Sequence, residues 1–360
     1  MRNDFWKNKN VLITGHTGFI GSWLAIWLQK MGAQITGLSI DSGSTKSLYN
    51  LTNLSKTIVD WRGDIADLDT VKKVFSKNDI DIVFHLAAQA SAIESLDNPV
   101  STFETNVMGT LAILEAFRTQ KQRMAGVFIT ADSVYSDNNN LWGCREIDAL
   151  GGYDPFSSSK TCCEVLIASY LKSYFKPSNF DQHLKSMASA RTCYIVGGGD
   201  WTSGRILPDL IRAHERMAPV SLKGSTSLVP CLHVLEVIHG YITLAENLYD
   251  NPKFFCEAFN FGPEIGTSKT LKDIAAKVNE FLPDPINFDV EDESGVSIPT
   301  HHFLDITKSK LKLDWHPYLT YADTIGLTID WYLNYKNTNV AELCNKEIKW
   351  FMDKIIPYEK

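Results

Sequence analysis

A glycine-rich turn near the start of the chain has the spacing of a phosphate-binding loop. Its pattern is G-x-x-G-x-x-G, between a short apolar strand predicted at 11–14 and an apolar-periodic helix predicted over about 18–31. In such a motif, the first glycine allows a tight turn and the second lets backbone N–H groups approach a pyrophosphate. The third glycine lets helix and strand pack closely. The sequence therefore predicts a dinucleotide site whose contacts are Gly15, Thr17, Gly18, Phe19, Ile20 and Gly21.

Two positions compete for the ribose of that dinucleotide. An acidic residue is expected about 20 residues beyond the glycines, where it would bind the 2′-hydroxyl. Asp41 lies at that distance from Gly21, whereas Ser39 takes its place if the second strand ends there. No arginine follows this strand closely, which favours NAD over NADP.

The first half of the chain alternates between strand and helix patterns. Together they predict an α/β fold with a Rossmann-type, doubly wound parallel sheet. The strands are expected at 34–38, 81–86, 126–130 and 188–196, and the helices near 71–76, 99–119 and 154–173. After Val196 a glycine run and several prolines predict short helices in a smaller, mixed α/β C-terminal substrate domain. The expected division is 1–195 plus about 234–262 for the cofactor domain, and about 196–233 plus 263–360 for the substrate domain.

Composition and charge exclude several classes of function. The net charge is −7 and Lys/Arg residues form no cluster, so the chain lacks the basic surface of a nucleic-acid binder. The polar N-terminus lacks the apolar core of a signal peptide, and no apolar run reaches the ~20 residues that span a bilayer. Seven scattered cysteines predict reduced thiols, and nine histidines show no metal-binding spacing. We therefore expect a cytoplasmic protein that neither enters a membrane nor binds a metal.

Motifs along nearly the whole chain resemble those of extended short-chain dehydrogenase/reductases, and of CDP-glucose 4,6-dehydratases in particular. The most specific is the Gly-Gly-Gly-Asp-Trp run at 197–201, and further matches lie at 142–143, 151–155, 205–209, 233–236 and 260–263. The resemblance implies NAD as cofactor and a CDP-linked sugar as substrate. It implies further cofactor contacts at Asp64, Ile65, Leu86, Ala87, Ala88, Asn106, Thr130 and Lys160. It also implies a homodimer formed through two helices per subunit, here about 99–119 and 157–173.

The chemistry of that family needs a particular set of side chains. NAD takes a hydride from C4 of the hexose, water is eliminated across C5 and C6, and the hydride returns to C6. The product is a 4-keto-6-deoxy sugar nucleotide. A tyrosine acts as base at C4, a lysine one helical turn further on makes it more acidic, and a Ser or Thr lies beside it. An acid expels the C6 hydroxyl and a partner deprotonates C5.

This sequence keeps only part of that set. Lys160 and Asp132 match the lysine and the acid. Inert or altered side chains stand at five other functional positions, namely Ala131, Ser133, Phe156, Tyr194 and Val229. Phe156 replaces the tyrosine base, and Val229 replaces an arginine that holds the pyrophosphate, a role valine cannot fill.

Two functions follow from these departures. The first is an NAD-binding enzyme that modifies nucleotide sugars with altered chemistry, in which the candidate catalytic residues are Asp132, Ser133, Tyr135 and Lys160. Its substrate contacts would be Gln89, Tyr194, Arg205 and His233. The second is an inactive homologue that binds NAD and nucleotide sugar as a partner or regulatory subunit, paired with an active paralogue. Losing a positioned acid or base costs roughly 10²–10⁴-fold in rate, so ordinary dehydration should be severely impaired.

Overall fold

The computed structural model describes residues 3–136, 142–223, 228–291 and 303–356. Within these ranges the strands are β1 Asn10–Thr14, β2 Gln34–Ser39, β3 Val59–Arg62, β4 Ile82–His85, β5 Met124–Ile129, β6 Lys185–Thr192, β7 Tyr194–Val196, β8 Val220–Lys223, β9 Leu228–Val229, β10 Cys231–His233, β11 Ala258–Phe261, β12 Lys269–Thr270 and β13 Phe288–Glu291.

The helices alternate with these strands in the first half of the chain. They are α1 Asn3–Trp6, α2 Phe19–Lys30, α3 Leu48–Leu51, α4 Leu68–Lys77, α5 Ala92–Asp97, α6 Pro99–Phe103, α7 Gly109–Thr119, α8 Pro155–Ser173, α9 Phe180–His183, α10 Ile206–Arg216, α11 Val234–Asp250, α12 Leu271–Phe281, α13 Thr307–Leu313, α14 Tyr321–Asn334 and α15 Val340–Ile355. A π-helical turn, Glu104–Met108, joins α6 to α7.

Seven strands form one parallel sheet, in the order β11-β6-β5-β4-β1-β2-β3. Six of them follow the Rossmann strand order 3-2-1-4-5-6, and β11 from late in the chain adds a seventh strand beside β6. Since both faces of a parallel sheet must be covered, helices pack on each side. The prediction of a Rossmann-type α/β fold is confirmed.

Apolar residues of β1 alternate between two cores, one on each face of the sheet. Val11 and Ile13 face a core shared with α2, α11 and α15, while Leu12 faces a core shared with α4, α7 and α8. Gly32 follows α2 with a φ of +90°, as expected of a glycine that ends a helix. These two cores fix the carboxyl ends of β1, β2, β4 and β5, where ligands bind in doubly wound sheets.

Two expectations about the elements were wrong in detail. The strand predicted at 188–196 is two strands, because the chain leaves the main sheet at Cys193 and β7 pairs instead with β10. The region after Val196 was expected to have only short helices, yet α11 has 17 residues and α15 has 16. Both helices bury apolar faces in the core, which favours length despite the prolines between them. The division into two domains stays a prediction.

Candidate cofactor and active site

The glycine turn links the end of β1 to the start of α2 and forms a cradle for a dinucleotide. Gly15 has a φ of +75°, and a Cβ there would lie 2.8 Å from the Ala87 nitrogen. A Cβ at Gly21 would lie 2.2 Å from the Gly15 oxygen, so α2 can approach the turn only with glycine there. Gly18 is the N-cap of α2. A pyrophosphate fits here, because the first N–H groups of the helix would bind its charge. The structure brings together Gly15, Thr17, Gly18, Phe19, Ile20 and Gly21.

Thr17 holds the end of β2 in place. Its Oγ1 lies 2.7 Å from the Ser39 Oγ and donates to the Ile40 carbonyl at 3.2 Å. The Ser39 hydroxyl is therefore buried and already hydrogen-bonded. The Asp41 carboxylate, by contrast, is 94% exposed just beyond the strand end. Of the two ribose candidates, Asp41 is the one whose side chain is accessible to a ligand.

A polar cluster at the end of β3 was not predicted from the sequence. The buried His16 Nε2 lies 2.8 Å from Asp60 Oδ1, and the Tyr49 hydroxyl donates to Asp60 Oδ2 at 2.6 Å. Arg62 donates to the same Oδ2 at 3.1 Å, and its guanidinium lies 4.6 Å from the centroid of the Tyr49 ring. Burial lowers the pKa of His16, so His16 is the neutral member of this cluster near pH 7.

The loop after β4 borders the cradle from the other side. Thr14 Oγ1 lies 2.8 Å from His85 Nδ1 and accepts from the Ala87 N–H at 3.2 Å. His85 Nε2 lies 3.0 Å from Thr110 Oγ1, and burial lowers the pKa of His85 to about 3. This neutral chain of hydrogen bonds fixes the predicted cofactor loop, Leu86, Ala87 and Ala88.

Asn106 lies in the π-helical turn and ties three elements together. Its Oδ1 accepts from the Gln89 N–H at 2.8 Å, and its Nδ2 donates to the Gln89 carbonyl at 3.0 Å and to Ser159 Oγ at 2.8 Å. The Gln89 side chain is itself bonded to the Ser91 backbone. π-helical turns often occur at functional sites, and this one lies between the cofactor loop and α8.

The other predicted adenine-side contacts follow β3. Asp64 Oδ1 accepts from the Ala66 N–H at 2.9 Å, which shapes the turn into α4. Ile65 is buried, and a Cβ on Gly109 would lie 2.5 Å from its Cδ1. Ile65 thus packs closely on α7, and Asp64 stays at the exposed edge.

The start of α8 carries the altered base position. Lys160 is buried and donates from Nζ to the Ile129 carbonyl at 3.1 Å, and burial lowers its pKa. Phe156 lies one helical turn earlier and has no hydroxyl; its backbone N–H donates to Ser95 Oγ at 3.2 Å. The lysine is therefore held at the end of β5 without the tyrosine it would assist.

A short 3-10 helix, Asp132–Val134, carries the next candidates directly after β5. Ala131 and Asp132 are both buried. The Ser133 Oγ is also buried, and among the described residues it has no hydrogen-bond partner. Ser133 is thus a hydroxyl available for a new contact, whereas Ala131 offers only a methyl group.

Tyr135 belongs to a buried network rather than to an open site. Its hydroxyl donates to Asn260 Oδ1 at 2.6 Å and accepts from Arg191 NH1 at 2.8 Å. Burial raises the pKa of Tyr135, which disfavours ionisation near pH 7. The geometry favours a structural role for this predicted catalytic residue.

Thr130 joins the same network from the end of β5. Its hydroxyl donates to Glu164 Oε1 at 2.6 Å, and Glu164 Oε2 accepts from Ser189 at 2.9 Å and from Arg191 at 2.8 Å. Both carboxylate oxygens of Glu164 therefore accept hydrogen bonds. The Thr130 side chain supports the sheet from within, and its backbone N–H donates to the Ala190 carbonyl at 2.9 Å. The cofactor contact expected at Thr130 stays a prediction.

On the substrate side, Tyr194 and Arg205 lie together. The Arg205 guanidinium is 5.5 Å from the Tyr194 ring centroid and pairs with Asp200 at 3.2 Å. Burial raises the pKa of Tyr194, so it is a poor proton acceptor near pH 7. Val229 is buried in the core and offers no charge. Arg205 is thus the predicted substrate residue with a charge to offer a phosphate.

His233 caps α11 rather than facing an open cleft. Its Nδ1 accepts from the Leu235 N–H at 3.3 Å, and Glu236 reaches back to the His233 N–H at 3.4 Å. His233 is fully buried, and burial lowers its pKa to about 3. This capping box gives His233 a structural role, which a histidine in a short motif does not reveal.

Within the described ranges, no group of three or more His, Cys, Asp or Glu side chains could hold a metal ion. All seven cysteines are free thiols. No helix among the described residues is both long and apolar enough to cross a membrane.

Comparison with known proteins places this chain in a family. Residues 12–179 match the family model described as GDP-mannose 4,6 dehydratase. The chain is 36% identical to the CDP-glucose 4,6-dehydratase of Salmonella typhimurium over 350 residues, which cover 97% of this chain and 98% of that one.

Solved structures at lower identity share the fold. The UDP-glucose 4-epimerase of Thermotoga maritima, solved with UDP-glucose, superposes with a TM-score of 0.74 at 22% identity, over 91% of this chain and 100% of that one. The dTDP-glucose 4,6-dehydratase of Bacillus anthracis, solved with NAD, gives 0.72 at 19% identity, over 91% and 97% of the two chains.

Proposed function

The chain belongs to the extended short-chain dehydrogenase/reductases, in the family of CDP-glucose 4,6-dehydratases, and on that basis we propose that it binds NAD at the glycine turn. The cradle formed by Gly15, Gly18 and Gly21 supports this proposal, because any Cβ there would meet backbone. Asn106 and Lys160 would hold the nicotinamide side. When bound, NAD supplies a hydride acceptor beside the end of β5.

We propose a nucleotide-diphosphate sugar, with CDP as the favoured nucleotide, as the second ligand. The whole-chain similarity to a CDP-glucose 4,6-dehydratase supports this choice. Arg205 is the group that would bind a phosphate on this side of the site, since Val229 carries no charge. Gln89 and Tyr194 would line the sugar.

The observation that carries the functional proposal is the loss of two hydroxyls around a retained lysine. Phe156 cannot accept the proton of the C4 hydroxyl, and the Ala131 side chain cannot donate a hydrogen bond beside it. Tyr135 and Tyr194 are weak substitutes, because burial raises the pKa of each. We therefore propose a nucleotide-sugar-binding protein with an altered active site, in which Asp132, Ser133 and Lys160 remain for proton transfer and ordinary 4,6-dehydration is impaired.

The second candidate function is an inactive homologue that serves as a partner subunit. An exposed apolar surface on α6, the π-helical turn and α8 favours it. Val100, Met108 and Val165 are half exposed or more on α6, the π-helical turn and α8. Such apolar side chains on the two helices that the family uses for dimerisation suit a homodimer or a mixed dimer with an active paralogue. Measuring the mass of the purified protein in solution, alone and with a paralogue, tests the dimer.

The first experiment incubates the protein with NAD and CDP-glucose and follows the sugar nucleotide by mass spectrometry. We expect little or no loss of water over the time in which an intact family member converts its substrate. Rapid loss of one water would show that dehydration proceeds without the tyrosine and would overturn the impaired-dehydration proposal.

Restoring the two hydroxyls sharpens this test. We expect Phe156→Tyr combined with Ala131→Thr to raise the dehydration rate at least about 100-fold, because a positioned base contributes roughly 10²–10⁴. The exposed Phe254 provides the matched control, Phe254→Tyr, which should leave the rate unchanged. If NAD and CDP-glucose both bind but the double variant stays inert, the departures at Ser133, Tyr194 or Val229 must also matter.

We further propose that the protein is cytoplasmic and that the chain divides into cofactor and substrate domains as its sequence predicts. The free cysteines are consistent with a reducing compartment. The pairing of β11 with β6 is consistent with assigning residues near 234–262 to the cofactor domain.

A further inference from the structure

The cluster that borders the predicted ribose site contains an arginine from a different strand. Arg62 ends β3, and its NH1 donates to the Ile40 carbonyl at 2.9 Å, directly beyond the end of β2. The Gly63 N–H also donates to the Ser39 carbonyl at 3.1 Å, so the two strand ends are tied together. A guanidinium therefore lies where the 2′ position of the adenosine ribose is expected.

Arg62 is anchored by contacts that do not involve Asp41. It bonds the Ile40 carbonyl, pairs with Asp60 at 3.1 Å and lies on the ring of Tyr49 at 4.6 Å. Arg62 NH1 lies 3.8 Å from Asp41 Oδ1, which is farther than either of these two hydrogen bonds, and the Asp41 carboxylate is 94% exposed. Removing the Asp41 charge should therefore leave Arg62 in place.

The charge balance of this cluster explains why it favours a free ribose. Two carboxylates, Asp41 and Asp60, stand against one guanidinium, and His16 is neutral, so one negative charge is in excess. A 2′-phosphate would bring a charge of about −2 beside it. Without Asp41 the excess disappears, and Arg62 would offer a phosphate its planar donors.

We propose that Arg62, at the end of β3, provides a latent 2′-phosphate site beside the predicted ribose position, and that the Asp41 carboxylate keeps this site closed to NADP. This inference rests on the proposed binding of a nicotinamide dinucleotide. A single substitution at Asp41 should therefore open the site to NADP.

The test compares the dissociation constants of NAD and NADP by calorimetry for the full-length protein and three variants. Asp41→Asn keeps the shape and removes the charge; we expect NADP to bind about tenfold more tightly, while NAD binds no more tightly than to the wild type. Asp41→Asn combined with Arg62→Gln should lose the gain for NADP. Asp353→Asn, at an exposed position of α15, changes the net charge equally and should change neither constant.

The possible outcomes distinguish a failure of this inference from a failure of the proposed function. An unchanged ratio of the two constants in Asp41→Asn, with tight binding of NAD, would overturn the inference alone. Retention of the NADP gain in the double variant would overturn the role of Arg62. Failure of the wild type to bind either dinucleotide would overturn the proposed function as well. Thermal unfolding of each variant confirms that it is folded.

Discussion

The cofactor end and the reaction end of this sheet differ in what their functions require. At the ends of β1 and β2, the cradle depends on backbone that approaches closely at Gly15 and Gly21. At the end of β5 and the start of α8, function depends on particular side-chain hydroxyls, and Phe156 and Ala131 lack them. In the buried network beneath the reaction end, both carboxylate oxygens of Glu164 nevertheless accept hydrogen bonds, from Thr130, Ser189 and Arg191. A fold can therefore keep its close backbone approaches and its buried supports while the side chains at its reaction end change.

The largest expected effect tests the cofactor end. Gly15→Ala should weaken NAD binding at least about 100-fold, because a Cβ there combines a left-handed backbone with a collision with the Ala87 backbone. Gly266→Ala is the matched control, since Gly266 also has positive φ but has no atom within 4 Å of its Cβ position. Calorimetric titration with NAD measures both variants, and circular dichroism checks their folding. Wild-type affinity in Gly15→Ala would contradict the cradle.

The next effect tests whether Tyr135 supports the reaction end or takes part in it. Tyr135→Phe should lower the free energy of unfolding by about 1–3 kcal/mol, because Arg191 and Asn260 lose a buried partner. Dehydration by the Phe156→Tyr/Ala131→Thr variant should be nearly unaffected. Tyr241→Phe is the control, because the Tyr241 hydroxyl is also buried but is hydrogen-bonded to the neutral Thr192 hydroxyl. This variant should lose less free energy of unfolding than Tyr135→Phe. Denaturant unfolding and the dehydration-rate assay together distinguish a structural role of Tyr135 from a catalytic one. Loss of the rate without loss of stability would make Tyr135 catalytic.

The smallest effect concerns two buried histidines, His85 beside the predicted cofactor loop and His233 at the start of α11. Burial lowers the pKa of each to about 3, below the unfolded value of 6.5. Their contribution to stability is therefore complete above pH 6.5 and is lost as the pH falls toward 3. Between pH 7.5 and 5.5 the burial of each neutral imidazole should lower the free energy of unfolding by about 1.4 kcal/mol. Denaturant unfolding at pH 7.5 and 5.5 measures this loss. The His233→Asn variant, whose asparagine can still cap α11, should show about half of the loss that His85 and His233 cause together. An unchanged loss in that variant would contradict the burial of a neutral His233.

The alternating pattern of the first half was sufficient to predict the sheet. Strands such as β1 and β4 are continuous apolar runs, as expected when both faces are buried. The strand β3 was missed because it is short and two of its four residues, Asp60 and Arg62, are charged; it lies at the edge of the sheet. The break at Cys193 was also missed, since no proline or glycine marks the place where the chain leaves the sheet.

The cofactor site was more predictable than the roles of single side chains. Local spacing identified the glycine turn, because its geometry depends on neighbouring residues. The cluster of His16, Asp60 and Arg62 could not be predicted in this way, since His16 lies in the glycine turn after β1 and meets the two β3 residues only when β3 joins the sheet. The structural role of His233 depends likewise on its place at the start of α11, which a short motif does not define.

The position of β11 has a consequence for synthesis on the ribosome. The seventh strand of the sheet, Ala258–Phe261, pairs with β6 although more than 60 residues separate them along the chain. While the chain is still growing, β6 is thus an open edge whose natural partner has not yet been made. The nascent sheet cannot be completed until residue 261 has emerged, so the cofactor half of this protein finishes folding only when most of the chain has been translated.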